Sequence, residues 1–299
     1  SGGGSATLTS GRCYRYTMTG TDNLGNTTTI QRTIYFETTN PTQALTLATS
    51  SNAVLSGTTL YYRSNLAGSF TIADAVTDSG SGADSANFPV IGTTGWTHNA
   101  ETVTSGTGTN PKTFTSTAYS WTSGASNPTS KTITGYDFSG NSVTTSLSFT
   151  VDNAGPASSG ALTVNGAGGS AGGTTSYTNT TFSGSKTDFT DAGAGISTNV
   201  LTREFATITS GVCDSFDSAT IIASISETTP AVGCYRYTLT ATDLLANVSV
   251  LKTTVMVDLT APSSVVVSET GSAGYLSGST VFFRSGVSGS LTLSAAVTD

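Results

Sequence analysis

Charged side chains are scarce in this chain. Asp, Glu, Lys and Arg make up 10% of its 299 residues, against the ~25% usual for globular domains. Only 11 residues are Lys or Arg, the formal net charge is −7 and the pI is near 4.5. No basic cluster occurs, which excludes a partner held by its phosphate backbone. No apolar run approaches the ~18 residues of a membrane-spanning helix. No segment holds a helical period over twelve or more residues, and no signal peptide stands at the start. An internal segment or a mature chain is therefore expected.

The chemistry-bearing residues are equally few. There is one His, His98, in "GWTHNAE". No G-x-S-x-G elbow flanks a Ser, so a Ser-His-Asp arrangement finds no support, and His98 is expected in a loop or at the surface. Glu is too sparse, and Asp too regularly placed in turns, for a unique pair of glycosidase carboxylates. Three Cys and one His do not make a four-ligand zinc site in one domain. The Gly-rich stretch 166–173 lacks the Lys and the strand–helix setting of a phosphate loop and is expected to be a flexible loop. No catalytic residue is assigned, and the chain is not expected to be an enzyme.

What is abundant points to strands. Ser and Thr fill roughly a third of the chain, alongside 34 Gly, 11 Tyr and 12 Phe. Disordered segments are poor in aromatic and β-branched residues, whereas these suit a pleated, half-buried surface. Short runs such as "YRYTMTGT" (14–21), "TTSLSFTV" (144–151) and "YRYTLTAT" (235–242) alternate apolar with Thr or Ser. That period of two predicts strands with one wet face. Clusters such as "DSGSGAD" (78–84) and "DNAGP" (152–156) mark the turns between them.

Internal repetition organises the chain. Shifted by 221 residues, 1–78 aligns with 222–299 without a gap, and 30 of the 78 pairs are identical. A weaker unit, "TGYDFSGN" (134–141), shares the T-x-x-D-x-x-x-N pattern of the other two copies. Pro41, Pro156 and Pro262 keep the same steps. The long period therefore divides into two module types, each long enough for a β-sandwich of about seven strands. The expected boundaries are 1–40, the last two strands of one module; 41–155 and 156–261, two complete modules; and 262–299, the first strands of another. The chain reads as a window on a longer array.

"YRYTLTATDLLANVSVLKTTVMVDLTAP" (235–262) resembles the last two strands and linker of tandem bacterial immunoglobulin-like repeats, and the likeness recurs at 14–41 and 136–156. The resemblance implies an all-β fold of tandem immunoglobulin-like antiparallel β-sandwiches, in a large repetitive cell-surface protein of adhesin, stalk or fibre type. Ala246 departs from the usual loop Gly, and Glu37 from the usual linker Asp. The expected partners are neighbouring modules of the same chain or filament. A cell-surface glycan or protein is the alternative, with Trp96 and Trp121 either lining a sugar groove or, as is commoner, lying in a core. A strand-exchanged polymer is the third reading, since unpaired strand edges recruit strands from neighbours.

Within 156–261 the expected strands lie near 180–190, 200–209, 219–226, 234–243 and 248–258. In a sandwich of this type the second ends beside the start of the fourth, which predicts a Cys213–Cys234 disulfide and an oxidising, extracellular or cell-surface location. Cys13 takes the position of Cys234 in the repeat, with its partner upstream of Ser1.

The same architecture would bring three kinds of acid to one end of each module. The linkers carry Glu37, Asp152 and Asp258. The turns "VTDSGSG" (76–82) and "FTDAGAG" (189–195) carry Asp78 and Asp191. The T-x-x-D-x-x-x-N turns carry Asp137 and Asp243, with Asn247 beside the latter. Glu37, Asp78 and Asp137 form one set; Asp152, Asp191, Asp243 and Asn247 form the other. Calcium takes six to eight oxygens from carboxylates and carbonyls, so an interdomain Ca2+ is one reading. Asp and Asn closing turns through their own backbone is the other.

Overall fold

The computed structural model describes residues 7–272 and 274–298; Asp299, which repeats Asp78, lies outside them. The protein is all-β. Among the described residues there is no helix, and the strands form multiple antiparallel sheets. They divide into two compact units. The first holds residues up to 160 together with 188–199 and 240–249; the second holds 161–187, 200–239 and 250–299.

In the first unit, Arg12–Thr21 and Thr27–Phe36 form an antiparallel ribbon, paired from Arg12↔Phe36 to Thr21↔Thr27. Two larger sheets follow. In one, Gly68–Thr77 lies at the centre, flanked by Thr42–Ser51, Lys112–Thr115 and Tyr119–Trp121. In the other, Lys131–Asp137 pairs with both Ser142–Val151 and Ala83–Phe88. Thr59–Tyr62 adds to Ser142–Val151 in parallel.

The alternation seen in the sequence explains why both sheets hold together. Phe70, Ile72 and Val76 point to one face of Gly68–Thr77, and Ile133, Leu147 and Phe149 come from the other sheet. All lie in one buried cluster, with Thr and Ser on the opposite faces. Burying such side chains stabilises by roughly 1.5–3 kcal/mol each. Both tryptophans sit at the end of this core. Trp96 and Trp121 lie 4.9 Å apart, edge-on to Tyr62 at 5.0 and 5.3 Å. Their indole N–H groups donate to the carbonyls of Ser126, and of Arg63 and Leu66. A buried indole that has satisfied its donor offers no platform to a sugar.

His98 is buried rather than at the surface, because its ring stacks on Tyr119 at 3.5 Å. The Gly-rich stretch 166–173 is not a free loop either. Ala167–Gly168 pairs back on Ala161–Val164, and Ser170 bridges to Lys252.

In the second unit, Ala161–Val164 pairs with Phe182–Thr187, which pairs with Ile225–Glu227. Another sheet of the chain is ordered Thr175–Thr178, Val248–Val257, Gly233–Asp243, Ile196–Ala206, Thr220–Ile221. Cys213 and Cys234 are joined by a disulfide, with Cα atoms 5.8 Å apart. The Tyr235 hydroxyl accepts from the Ala231 N–H at 2.8 Å and donates to its carbonyl at 3.3 Å. Glu204 and Arg236 pair through two 2.7 Å hydrogen bonds, which hold the Glu204 carboxyl below its usual range. Ser264–Gly271 with Leu291–Thr298, and Gly274–Ser277 with Thr280–Phe283, form two further ribbons.

Candidate metal centres at two carboxylate clusters

Two groups of three acids converge, both within the first unit. One is Glu37, Asp78 and Asp137; the other is Asp152, Asp191 and Asp243. In each, one oxygen from every carboxylate lies within 4.8 Å of the others. Asp137 and Asp243 are almost wholly buried, and only Asp191 is half-exposed.

Each cluster is built from the same three local devices. The first is a D-x-G-x-G turn. Asp78 accepts from the Gly80 and Gly82 N–H groups at 3.1 and 2.6 Å; Asp191 accepts from Gly193 and Gly195 at 3.0 and 2.8 Å. The second is the acid after the preceding strand. Glu37 accepts from Ser81 N–H and Asp152 from Ala194 N–H, both at 2.7 Å, each into the middle of its turn. The third is the D-x-x-x-N turn. Asp137 and Asp243 each accept the Asn backbone N–H at 2.8 Å and its side-chain amide at 2.8 and 2.7 Å.

A third copy of that last device stands alone. Asp22 accepts the Asn26 side-chain amide and backbone N–H at 2.8 Å each, and the amide bond above all holds its carboxyl below the usual range. The D-x-x-x-N turn therefore closes by itself, without the other two acids. Three carboxylates brought together are a further step, because like charges about 5 Å apart repel by roughly 3 kcal/mol per pair at an effective dielectric constant of ~20. The ion pairs of Arg203 with Glu227 and of Arg236 with Glu204 involve none of the six.

The glycine in the middle of each D-x-G-x-G turn is fixed by this approach. A Cβ on Gly80 would overlap the Glu37 carboxylate, and one on Gly193 would overlap that of Asp152. Gly193→Ala is therefore expected to push Asp152 out of its cluster and lower the thermal midpoint, while Gly172→Ala, in open space, leaves it nearly unchanged. An equal response of both variants would contradict the seating. The repeated spacing D-x-G-x-G is the signal that marks Gly80 and Gly193 beforehand.

Asn247 does more than close its turn. Its side-chain amide also donates to the Asp152 carbonyl at 3.3 Å. Arg63, which carries no signal of this role in the sequence, donates to the neighbouring Leu245 carbonyl at 3.4 Å. Asn153, next to Asp152, bonds Ser64 and Asn65. Ala246 sits at φ +64°, where the equivalent Gly25 and Gly140 have φ +86°. Left-handed backbone disfavours a Cβ. Ala246→Gly is expected to stabilise by roughly 0.5–1 kcal/mol, read as a raised thermal midpoint. A lowered midpoint would show that Ala246 carries no strain.

The donor set suits a hard cation. Three carboxylate oxygens, one from each acid, converge in each cluster with no thiolate or imidazole among them, and oxygen-only sets favour Ca2+ or Mg2+ over transition metals.

No protein-family model matches this chain, and no curated protein matches it. Among solved structures, it is similar to a Ca2+-stabilized adhesin that helps an Antarctic bacterium reach out and bind ice. Identity is 18% and the TM-score 0.29, over 86% of this chain and 59% of that one. It is also similar to a tetra-tandem repeat in the extending region of a large adhesion protein. There identity is 17% and the TM-score 0.26, over 87% of this chain and 59% of that one. The chain thus spans somewhat under two thirds of each.

Proposed function

We propose that this chain is a structural repeat segment of an extracellular surface protein, a stalk or fibre of tandem immunoglobulin-like β-sandwiches whose joints hold Ca2+. The modules are 1–40, 41–155, 156–261 and 262–299, the outer two being partial. The observation that carries the reading is the repetition of one three-carboxylate cluster, built twice from the same three local devices. On this reading the acid after the preceding strand is a linker acid held by a turn of the following module, Glu37 by Ser81 N–H and Asp152 by Ala194 N–H. Fixing that acid fixes the linker.

Two features of 156–261 support the immunoglobulin-like form. Tyr235, at the start of its strand, bonds back to the backbone at Ala231, in the manner of a tyrosine corner. The Cys213–Cys234 disulfide suits an oxidising compartment. When bound, Ca2+ supplies the positive charge that offsets the repulsion among the three acids. The chain itself does the rest. The Gly-rich turns present N–H groups that orient each carboxylate, and the Asn side chains hold the third.

The reading makes a mechanical prediction. In small-angle scattering, the chain in Ca2+ is expected to show a larger and sharper maximum dimension than the chain in chelator. Identical profiles in the two buffers would contradict Ca2+-dependent stiffening.

A further inference from the structure

The core between 42 and 151 contains a group that the joints do not use. Asp74 lies in the middle of Gly68–Thr77, on the face shared by Phe70, Ile72 and Val76. It is 0% exposed, and neither carboxylate oxygen has a hydrogen-bond partner. Its neighbours across the ladder are Leu45 on one side and Phe114 on the other. Gln43, two residues from Leu45 on the same strand face, has its own Oε1 buried and unpartnered. The 221-residue repeat places Ala295 at the equivalent position. An acid is thus not required by the fold at this point of the strand.

We propose that Asp74 is a pH-sensing group that makes the 42–151 body the link of the array that loosens as the surroundings pass from acid to alkaline. An isolated carboxylate with no donor and no counter-ion is costly in an apolar core, whereas the neutral acid is tolerated. Burial pushes the Asp74 carboxyl from its usual 3.8 up to about 7, with no other cause contributing. The charged residues on the strands packed against Gly68–Thr77 are Lys112, Asp84, Lys131 and Asp137. None of them contributes to that shift, and Thr42–Ser51 carries no charged residue. Lys112 instead lies over the Phe114 and Phe138 rings.

The sign follows from linkage. A carboxyl whose pKa is raised on folding contributes stability in full below its unfolded value of 3.8. That contribution is lost as pH rises through about 7. His98, in the same body, works in the opposite sense. Burial lowers its pKa, so its contribution is complete above ~6.5 and is lost as pH falls through the folded value.

The test uses the whole chain. Both tryptophans belong to this one core, so their fluorescence follows this body alone during urea unfolding. The readout is the folding equilibrium constant of the wild type divided by that of Asp74→Asn, which cancels the contribution of His98. Between about pH 5 and about pH 8 this ratio is expected to fall about a hundredfold. Asp74→Ala, which installs the residue of the equivalent position, should give the same fall and keeps the test open if the amide variant folds poorly. A ratio independent of pH in both variants would overturn the proposal.

Discussion

Adding Ca2+ to chelator-treated protein is expected to raise its thermal midpoint, and neutralising one acid of a cluster is expected to reverse the order of stability of variant and wild type between the two buffers. At a free ion concentration a hundredfold above the dissociation constant, each site contributes about 2.7 kcal/mol. For a body of this size that is a rise of roughly 10 °C. Asp191→Asn separates the two readings of the acids. The amide retains an oxygen that can accept from Gly193 and Gly195, while one of three repelling charges is removed. In chelator the variant is expected to be at least as stable as the wild type. In Ca2+ it is expected to be less stable by the binding energy it has lost. If the acids serve only to close their turns, the variant shifts the midpoint equally in both buffers. The same inversion is expected for Asp78→Asn at the other cluster.

Removing the disulfide is the second large effect. The bond closes a segment with a sequence separation of 21. In the chain-entropy model such a loop stabilises by about 3 kcal/mol. Cys213→Ala combined with Cys234→Ala is expected to lower the stability of the second unit by that order. Cys234 is fully buried beside Tyr235, so a cavity adds to the loss. Tryptophan fluorescence from the 42–151 core should not follow the change, since no tryptophan lies in the second unit. A midpoint unchanged in the double variant would mean that the strands alone hold this region.

The difference between what the sequence exposed and what it concealed has physical causes. Strands were legible because a half-buried strand must alternate. Gly233–Asp243 shows this in full, with Tyr235, Tyr237, Leu239 and Ala241 buried and the intervening residues more exposed. Convergence of the acids was legible because four of them stand in turns whose spacing repeats, D-x-G-x-G twice and D-x-x-x-N three times, and the other two, Glu37 and Asp152, each follow a strand directly ahead of a repeated Pro. The burial of His98 was not. A lone polar residue after a short strand carries no periodicity, and only the stacking on Tyr119 brings it inside. Asp74 was hidden for a related reason. It occupies an inward position of a strand whose other inward residues are apolar, so alternation marks the position as core while the residue type points to solvent. Arg63 gave no signal, because its bond to the Leu245 carbonyl spans 182 residues.

The two clusters also differ in the hydrogen bonds around them. At the second cluster Asn247 bonds the Asp152 carbonyl. Among the described residues its equivalent, Asn141, bonds only within its own turn. Glu37 reaches its cluster with a side chain one methylene longer than that of Asp152. A longer chain has more rotamer freedom to lose on ordering, which predicts weaker cation binding at the Glu37 cluster than at the Asp152 cluster.

The central claim is that these clusters bind Ca2+, and calorimetric titration of the intact chain tests it most directly. The account predicts heat of binding, with one ion equivalent lost in Asp78→Asn, one lost in Asp191→Asn, and both lost when the two are combined. Absence of binding heat in the wild type, or a stoichiometry that neither variant changes, would contradict it.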